Sequence, residues 1–251
     1  MAYIELDTIQ TFANGCLKAA KAEDVAVPLT RLLDDVGLKS WYVGSLVHDS
    51  ELKSAGFGFF GMAPGWRERY AEERHNETDP VFNYARTNDR ALTWFECQKQ
   101  LRAAPSEEAT RALRVFHEAR AFGLNDGIIK PVHATGEIPA AVTFGGAQVN
   151  RSPQALACLE MVAAWAFEGF RRVAESFKPI APYLTPRELE VLRWTAEGKS
   201  AWQIGEIMKL AECTVRDHQK SIRQKYGVST LIRAVVLAAF DRTLTFAPST
   251  P

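Results

Sequence analysis

Two helix-start signatures stand fifteen residues apart near the end of this chain, Thr185-Pro186-Arg187-Glu188 and Ser200-Ala201-Trp202-Gln203. In each, a hydroxyl can accept from the backbone N–H three residues on, while the Glu or Gln there reaches back to the first residue's own N–H. Pro186 occupies the first helical position, where a missing N–H costs nothing. Gly198 lies between the two, so the spacing predicts a short helix, a tight turn and a second short helix. Leu189, Leu192, Trp194, Ile204 and Ile207 would supply their core. A third helix is expected from about Cys213 to Tyr226. Val215, Ile222 and Tyr226 would face inward, and Arg216, Lys220 and Arg223 recur at four and three residues on the other side. A cationic stripe on a short helix is by default a solvated face. Behind two capped helices and a turn it becomes a candidate recognition helix for a DNA major groove.

Charge placement agrees, though mildly. From Leu184 onward there are 10 Lys/Arg against 7 Asp/Glu, and the remainder carries 20 against 23, so a chain of zero net charge holds its excess cations at this end. The apolar content of 47% is that of a globular chain, not a disordered one. Cys16, Cys97, Cys158 and Cys213 form no C-x-x-C pair, and the opening MAYIELDTIQ has neither a basic nor an apolar leader segment, which together imply a reduced, cytoplasmic protein. The most apolar stretch, Ala155 to Phe170, is interrupted by Glu160 and Glu168, so no membrane span is expected. The five His residues show no paired metal-ligand spacing.

The residues before Leu184 alternate in character. Leu6 to Val36 reads as helical, with Gly37 as a stop signal. Asp34 and Asp35 lie at that helix end with no strand before them and read as solvated charges. Ser40 to His48 and Ser54 to Phe60 look like paired antiparallel strands around the turn residues HDSELK. The glycines of GFGFFG lack the strand-then-helix context of a phosphate loop and instead mark the close approach of something bulky. Helices are expected at Trp66–Arg74, at Pro80–Thr87 with Asp79 as N-cap, and at Ser106–Phe122 closed by Gly123. A second strand pair, Gly127–Val132 and Ile138–Phe144, would flank HATGE. A long amphipathic helix, Pro153–Phe177, follows. Pro179 and Pro182 break helical continuation, so 178–183 reads as a linker between a domain at 1–177 and one at 184–251. The order implies an α+β chain, an antiparallel sheet with helices on its faces followed by an all-α module.

Between Trp66 and Gly127 lie Trp66, Tyr70, Asp79-Pro80, Trp94 and the glycines of FGLNDG. Trp66 and Tyr70 share one helix face. Two amphipathic aromatics beside a carboxylate can line a pocket for a small molecule with an apolar body and a few amides or carbonyls. Trp donates, Asp accepts, and Thr143 can do either. The alternative is that Trp66 and Trp94 are core aromatics and Asp79 is only a helix cap.

The pattern WxxxY…DP…W…GLxxGIxxPVH resembles the autoinducer-binding domain of LuxR-type quorum-sensing regulators over roughly Phe12 to Glu175. The stretch LTPRELEVLRWTAEGKSAWQIGEI with TVRDH resembles the helix-turn-helix of the same family, with Glu188, Leu192 and Gly198 at characteristic positions. The resemblance implies an N-terminal α/β/α sandwich that holds an N-acyl-homoserine lactone between sheet and helices, and no cofactor. Trp66 would donate to the lactone carbonyl and Asp79 accept from the amide. Thr143 would bond the acyl-side oxygen, and Tyr70 and Trp94 would line the pocket. Arg216 and Lys220 match positions that read bases; Lys199, Ser200 and Arg223 are candidates for phosphate contacts, and Thr214 for a further DNA contact. The implied partners are double-stranded DNA with an inverted-repeat operator, the autoinducer, a second copy of the chain and RNA polymerase, with the protein acting as an activator. The strip Val235, Val236, Ala239 and Phe240, or the helix Pro153–Phe177, would form the dimer contact unless those faces are core.

Three departures from the family pattern matter. Met62 stands where the family has a Tyr that donates to the acyl carbonyl, which implies an acyl group other than a plain straight chain, branched or aromatic. Ala211 replaces the Ser that caps the recognition helix, a loss of about 1 kcal/mol. Asp217 places a negative charge beside the cationic row. Two other readings compete. A response regulator shares this DNA-binding module, but the first half lacks the repeated β-α alternation of a receiver. A lactone-processing hydrolase would need a nucleophile elbow or metal-ligand spacing, and neither appears. A LuxR-type regulator of a non-lactone small molecule remains an alternative.

Overall fold

The computed structural model describes residues 3–46, 57–132, 139–175, 182–241 and 243–244. The chain separates into two compact units, divided after residue 177. The first contains α1 (Leu6–Lys18), α2 (Ala22–Asp34), β1 (Leu38–Ser45), β2 (Gly58–Gly61), α3 (Trp66–Glu72), a 3-10 turn (His75–Glu77), α4 (Pro80–Ala85), β3 (Leu92–Thr93), α5 (Trp94–Ala103), α6 (Glu107–Arg120), β4 (Asp126–Val132), β5 (Ala140–Gly146) and α7 (Pro153–Glu175). The strands form one antiparallel sheet in the order β2-β1-β5-β4-β3.

Strand side chains alternate between faces, and here that alternation feeds two separate cores. Trp41 and Val43 of β1, Ile128 of β4 and Val142 and Phe144 of β5 enter one, packed against α1, α2 and α7. Ile129 of β4 and Ala141 of β5 enter the other, with Trp66, Val81, Trp94, Val115 and Phe116. The expected sheet with helices on both faces is therefore observed, and the inward row Leu159, Val162, Ala163, Ala166, Phe167 and Phe170 of α7 is core.

Three elements were not expected from the sequence: the 3-10 turn His75–Glu77, helix α5 and strand β3. Helix α5 begins directly at Trp94, and a complete capping box opens it: Thr93 Oγ1 accepts from Glu96 N at 3.2 Å while Glu96 Oε2 accepts from Thr93 N at 3.2 Å. The T-x-x-E signature was present, but the helix is only ten residues long and mostly polar, so its periodicity is weak. Strand β3 has two residues, too few to carry a pattern. The expected turns HDSELK and HATGE lie outside the described residues, as does most of the 178–183 segment.

The second unit holds α8 (Pro186–Ala196), α9 (Ala201–Met208), α10 (Glu212–Tyr226) and α11 (Leu231–Phe240). Both predicted capping boxes form. Val191, Leu192, Ile204, Val215, Ile222, Ala234 and Ala238 build the core. Ile207, expected inside, is exposed, and Met208 is buried instead. Ile204 and Met208 are four apart and share the inward face of this short helix, which turns Ile207 outward. The tight turn into α10 needs Gly205, because a Cβ there would lie 2.7 Å from the Leu210 carbonyl oxygen.

Candidate functional site

A cavity of about 50 Å³ lies between the sheet and the helices α3 to α6. Trp66, Asp79, Thr143, Tyr70, Trp94 and Met62, all singled out from the sequence, line it. They come from five different segments, so their convergence is a property of the fold and not of local spacing.

Asp79 is the N-cap of α4. Its Oδ1 accepts from Val81 N at 2.9 Å and from Phe82 N at 3.4 Å, and its Oδ2 accepts from the Tyr70 hydroxyl at 2.9 Å. It is thus a helix cap and a cavity residue at once. Burial pushes its carboxyl above the usual range, against the opposing pull of the Tyr70 hydroxyl and the two backbone donors. A carboxylate offers about four lone-pair sites. Three are engaged, so one remains for a ligand donor. Burial, then the neighbouring Asp79, drives the Tyr70 phenol well above its ordinary value, so it stays a donor.

Trp66 opens α3 and is buried against Tyr70, His75 and Phe122, with ring centroids 5.6, 5.7 and 5.4 Å away. Among the described residues its indole N–H meets no acceptor, which leaves a free donor on the cavity wall. Thr143, on β5, donates its hydroxyl to the Ile128 carbonyl at 3.0 Å across the sheet. In this geometry it shows a ligand lone pairs; to donate it must leave Ile128. Met62 is half-buried and brings a flexible thioether to the cavity wall.

Trp94 is set in place by a pair of glycines directly opposite each other, Gly127 on β4 and Gly145 on β5. A Cβ on Gly127 would lie 2.4 Å from Trp94 Cε2, and one on Gly145 would lie 2.8 Å from Trp94 Cη2. The indole therefore rests directly on bare backbone. Its Nε1 is buried without a hydrogen-bond partner.

Several further residues, not evident from the sequence, line the cavity. Ser40 and Tyr42 alternate on β1, Phe82 follows the Asp79 cap, and Val115, Phe116 and Ala119 come from α6. Period-two alternation from Trp41 and the i, i+4 row on α6 were the available signals.

In the second unit α10 presents Arg216 and Lys220 as exposed cations, and Thr214 is half-buried. Arg216 donates from Nε and Nη2 to Glu212 Oε1 at 3.0 and 2.6 Å. Arg223 departs from the expected open stripe: it is half-buried, and its Nη1 donates to the Ser229 carbonyl at 3.3 Å. Lys199 and Ser200 are exposed at the start of α9, where the Ser200 hydroxyl caps the helix. Ala211 makes no side-chain cap. Beneath this surface Glu188 ties α8 to α10, accepting from Lys225 Nζ and from Ser221 Oγ at 2.6 Å each. Although its desolvation opposes ionisation, these bonds and that of Thr185 hold its carboxyl down at about 2.

Two family models match the chain: the autoinducer binding domain over residues 21–170, and the bacterial regulatory proteins of the luxR family over 182–238. The chain is 32% identical to the transcriptional activator protein BjaR1 of Bradyrhizobium diazoefficiens, over 69% of this chain and 70% of that one. It is 30% identical to the quorum sensing-dependent transcriptional regulator RpaR of Rhodopseudomonas palustris, over 74% and 76%. In fold it is similar to Escherichia coli SdiA, with a TM-score of 0.70 at 18% identity, covering 94% of this chain and 97% of that one. A structure of SdiA in complex with octanoyl-rac-glycerol gives the same TM-score at 19% identity, covering 94% of each chain.

Proposed function

Because the chain belongs to the LuxR family of autoinducer-binding transcriptional regulators, we propose that its cavity takes an N-acyl-homoserine lactone and that its helix-turn-helix binds an inverted-repeat operator as a dimer. Members of this family are regulators, not enzymes, and they act through a small-molecule ligand. Residues 1–177 form the sensing domain, 178–183 the linker and 184–251 the DNA-binding domain in this proposal.

The observation that carries the reading is the polarity of one wall. A free indole N–H on Trp66 and a carboxylate on Asp79 with one open lone-pair site stand within a cavity that, Ser40 and Thr143 apart, is otherwise lined by aromatic and apolar residues. A lactone carbonyl is an acceptor for the first, and an amide N–H is a donor for the second. Met62 leaves the acyl carbonyl without the donor the family usually offers, and favours a branched or aromatic acyl group. At about 50 Å³ the cavity is well below the roughly 300 Å³ or more of a typical ligand pocket, so binding spreads the walls as it fills them. Ligand burial then adds apolar contacts to the second core and shifts the population toward the DNA-binding dimer. The half-buried strip Val235, Val236 and Ala239 on α11, with Phe240, whose side chain lies outside the described residues, is the proposed dimer contact. Arg216 and Lys220 read bases, Thr214 assists, and Lys199, Ser200 and Arg223 touch phosphates. The dimer activates transcription with RNA polymerase from the cytoplasm.

The test is a thermal-shift and calorimetric panel on the full chain, with straight-chain, branched and phenyl-substituted acyl-homoserine lactones and octanoyl-rac-glycerol. Tightest binding of a branched or aryl lactone is expected. Preference for the acylglycerol would replace the lactone assignment, and preference for straight chains would remove the role given to Met62.

A further inference from the structure

A closed ring of four charges stands behind the cavity wall. Arg69 of α3 and Glu73 at its end are one turn apart, as are Arg114 and Glu118 of α6. Arg69 Nη1 meets Glu73 Oε1 and Arg69 Nε meets Glu118 Oε2, each at 2.8 Å. Arg114 Nη2 meets Glu73 Oε2 at 2.8 Å and Arg114 Nε meets Glu118 Oε1 at 2.6 Å. Each cation touches both anions. Because α3 carries Trp66 and Tyr70 while α6 carries Val115, Phe116 and Ala119, the ring fastens together two walls of the cavity.

His75 is the inner member of this cluster. It is 3% exposed, and its Nε2 lies 3.2 Å from Glu118 Oε2, so that nitrogen donates to the carboxylate. Its ring lies between Glu118 and the cavity aromatics, 5.7 Å from the Trp66 centroid and 5.5 Å from that of Tyr70. Its carbonyl accepts from Asp79 N at 2.7 Å. The side chain thus ties the Trp66 and Tyr70 rings to α6, while the bond to Asp79 is made by the main chain. A purely apolar aromatic would fill the same space and keep the main-chain bond to Asp79, but it would lose the tie to Glu118.

We infer that His75 is a positioning residue for ligand recognition: held by Glu118, its ring fixes where the Trp66 indole N–H stands, and so sets discrimination at the ligand's head group. The inference rests on the lactone reading of the cavity. Its physical basis is that a hydrogen bond to a ligand is strong only if its donor is held in place by packing and by bonds behind it. His75→Phe keeps the ring and loses the donor; His75→Gln keeps a donor near Nε2 and loses the ring.

The test compares these two variants in the full chain by thermal stability, by the indole N–H resonance of Trp66, and by affinity for two probes. The probes are N-phenylacetyl-homoserine lactone and the matching cyclopentylamide, which lacks the lactone oxygens. His75→Phe is expected to shift the Trp66 resonance and weaken the lactone about tenfold, the worth of roughly one net hydrogen bond, while the cyclopentylamide changes by less than about twofold. His75→Gln is expected to recover most of the lactone affinity. An unshifted Trp66 resonance, or equal losses on both probes, overturns the positioning role and leaves His75 a packing residue. If His75→Phe does not fold, Glu118→Gln, which removes the anion that His75 faces, carries the same expectation. Wild-type protein that binds neither probe would count against the acyl-lactone reading instead, and the Trp66 resonance then decides the positioning role alone.

Discussion

The Tyr70 hydroxyl donates to Asp79 Oδ2 while Asp79 Oδ1 caps the first turn of α4. Both carboxylate oxygens are therefore fixed before any ligand arrives. This is how a buried acid can be tolerated beside an apolar cavity: burial disfavours its charge, and three donors offset part of that cost. It also means that the cap and the proposed binding group are one side chain, so replacements of Asp79 separate the two roles only if they keep the cap.

Asp79→Asn does keep it. Asn is about as good an N-cap as Asp, and its amide can still face the Tyr70 oxygen. The atom offered to a ligand amide becomes a donor, so two N–H groups would meet. Lactone affinity is expected to fall by more than tenfold, the worth of a lost bond plus a repelled pair, with stability changed by less than about 1 kcal/mol. Asp79→Ala should lose about 1 kcal/mol from the cap and more from the stranded Tyr70 hydroxyl. Calorimetry and chemical denaturation on both variants distinguish these outcomes.

Acidification gives a second expectation at the same residue. The Asp79 carboxyl in the folded protein titrates above its ordinary 3.8. Its ionisation therefore weighs against folding, a penalty absent at low pH and incurred as pH rises through the raised value. A ligand amide N–H favours the anion and lowers that value on binding. Affinity should be full above the raised value and decline as pH falls through it, at a pH higher than an ordinary Asp would give. Affinity measured against pH checks this, and a flat profile across the acidic range would show that the amide does not meet this carboxylate.

Met62→Tyr places a phenol four residues before Trp66, in the non-helical segment that leads into α3. Straight-chain acyl lactones are expected to gain up to about tenfold in affinity, since the acyl carbonyl acquires a donor. Branched or aryl lactones should lose affinity, since the larger ring takes the space a flexible thioether left. The ratio of the two affinities is the informative quantity. A proportional change in both would place Met62 away from the acyl group.

Much of this site was legible in the sequence, for reasons specific to its residues. Helix caps are local, so Thr185, Ser200, Ser106 and Asp79 announced themselves. The two strand pairs showed in their β-branched and aromatic content. What could not be read was the seating of Trp94, because the facing of Gly127 and Gly145 depends on strand register, and register is set by long-range pairing. The ion ring between α3 and α6 was equally hidden, since Arg69 and Glu118 are 49 residues apart. Arg223 looked like part of a free stripe because helical spacing cannot reveal that the following loop offers it the Ser229 carbonyl.

Gly145→Ala tests the seat of Trp94. The added carbon would lie 2.8 Å from Trp94 Cη2, which forces the indole off the sheet. Overpacking of this kind costs about 1–3 kcal/mol, and it should also weaken ligand binding. Trp94→Phe removes the clashing end of the ring, so the double variant should be less destabilised than the sum of the singles. That coupling, measured by denaturation across the four-member cycle, is the expected signature.

Arg216 holds Glu212 through the Nε–Nη2 edge of its guanidinium, which leaves the Nη1–Nη2 end free. That end can pair with guanine O6 and N7 as a fork, steadied from behind by the carboxylate. Arg216→Ala is expected to cost about 1–3 kcal/mol on a specific operator and to relax discrimination at one base position, with little effect on non-specific duplex. Lys220→Ala should behave similarly if it too reads a base. Lys199→Ala should weaken both kinds of duplex alike and reduce the salt dependence by roughly one counterion. Titrations at several salt concentrations, on operator and on scrambled DNA, separate the two classes. Equal losses on both duplexes for Arg216→Ala would make it a phosphate contact and shift base reading to another face of α10.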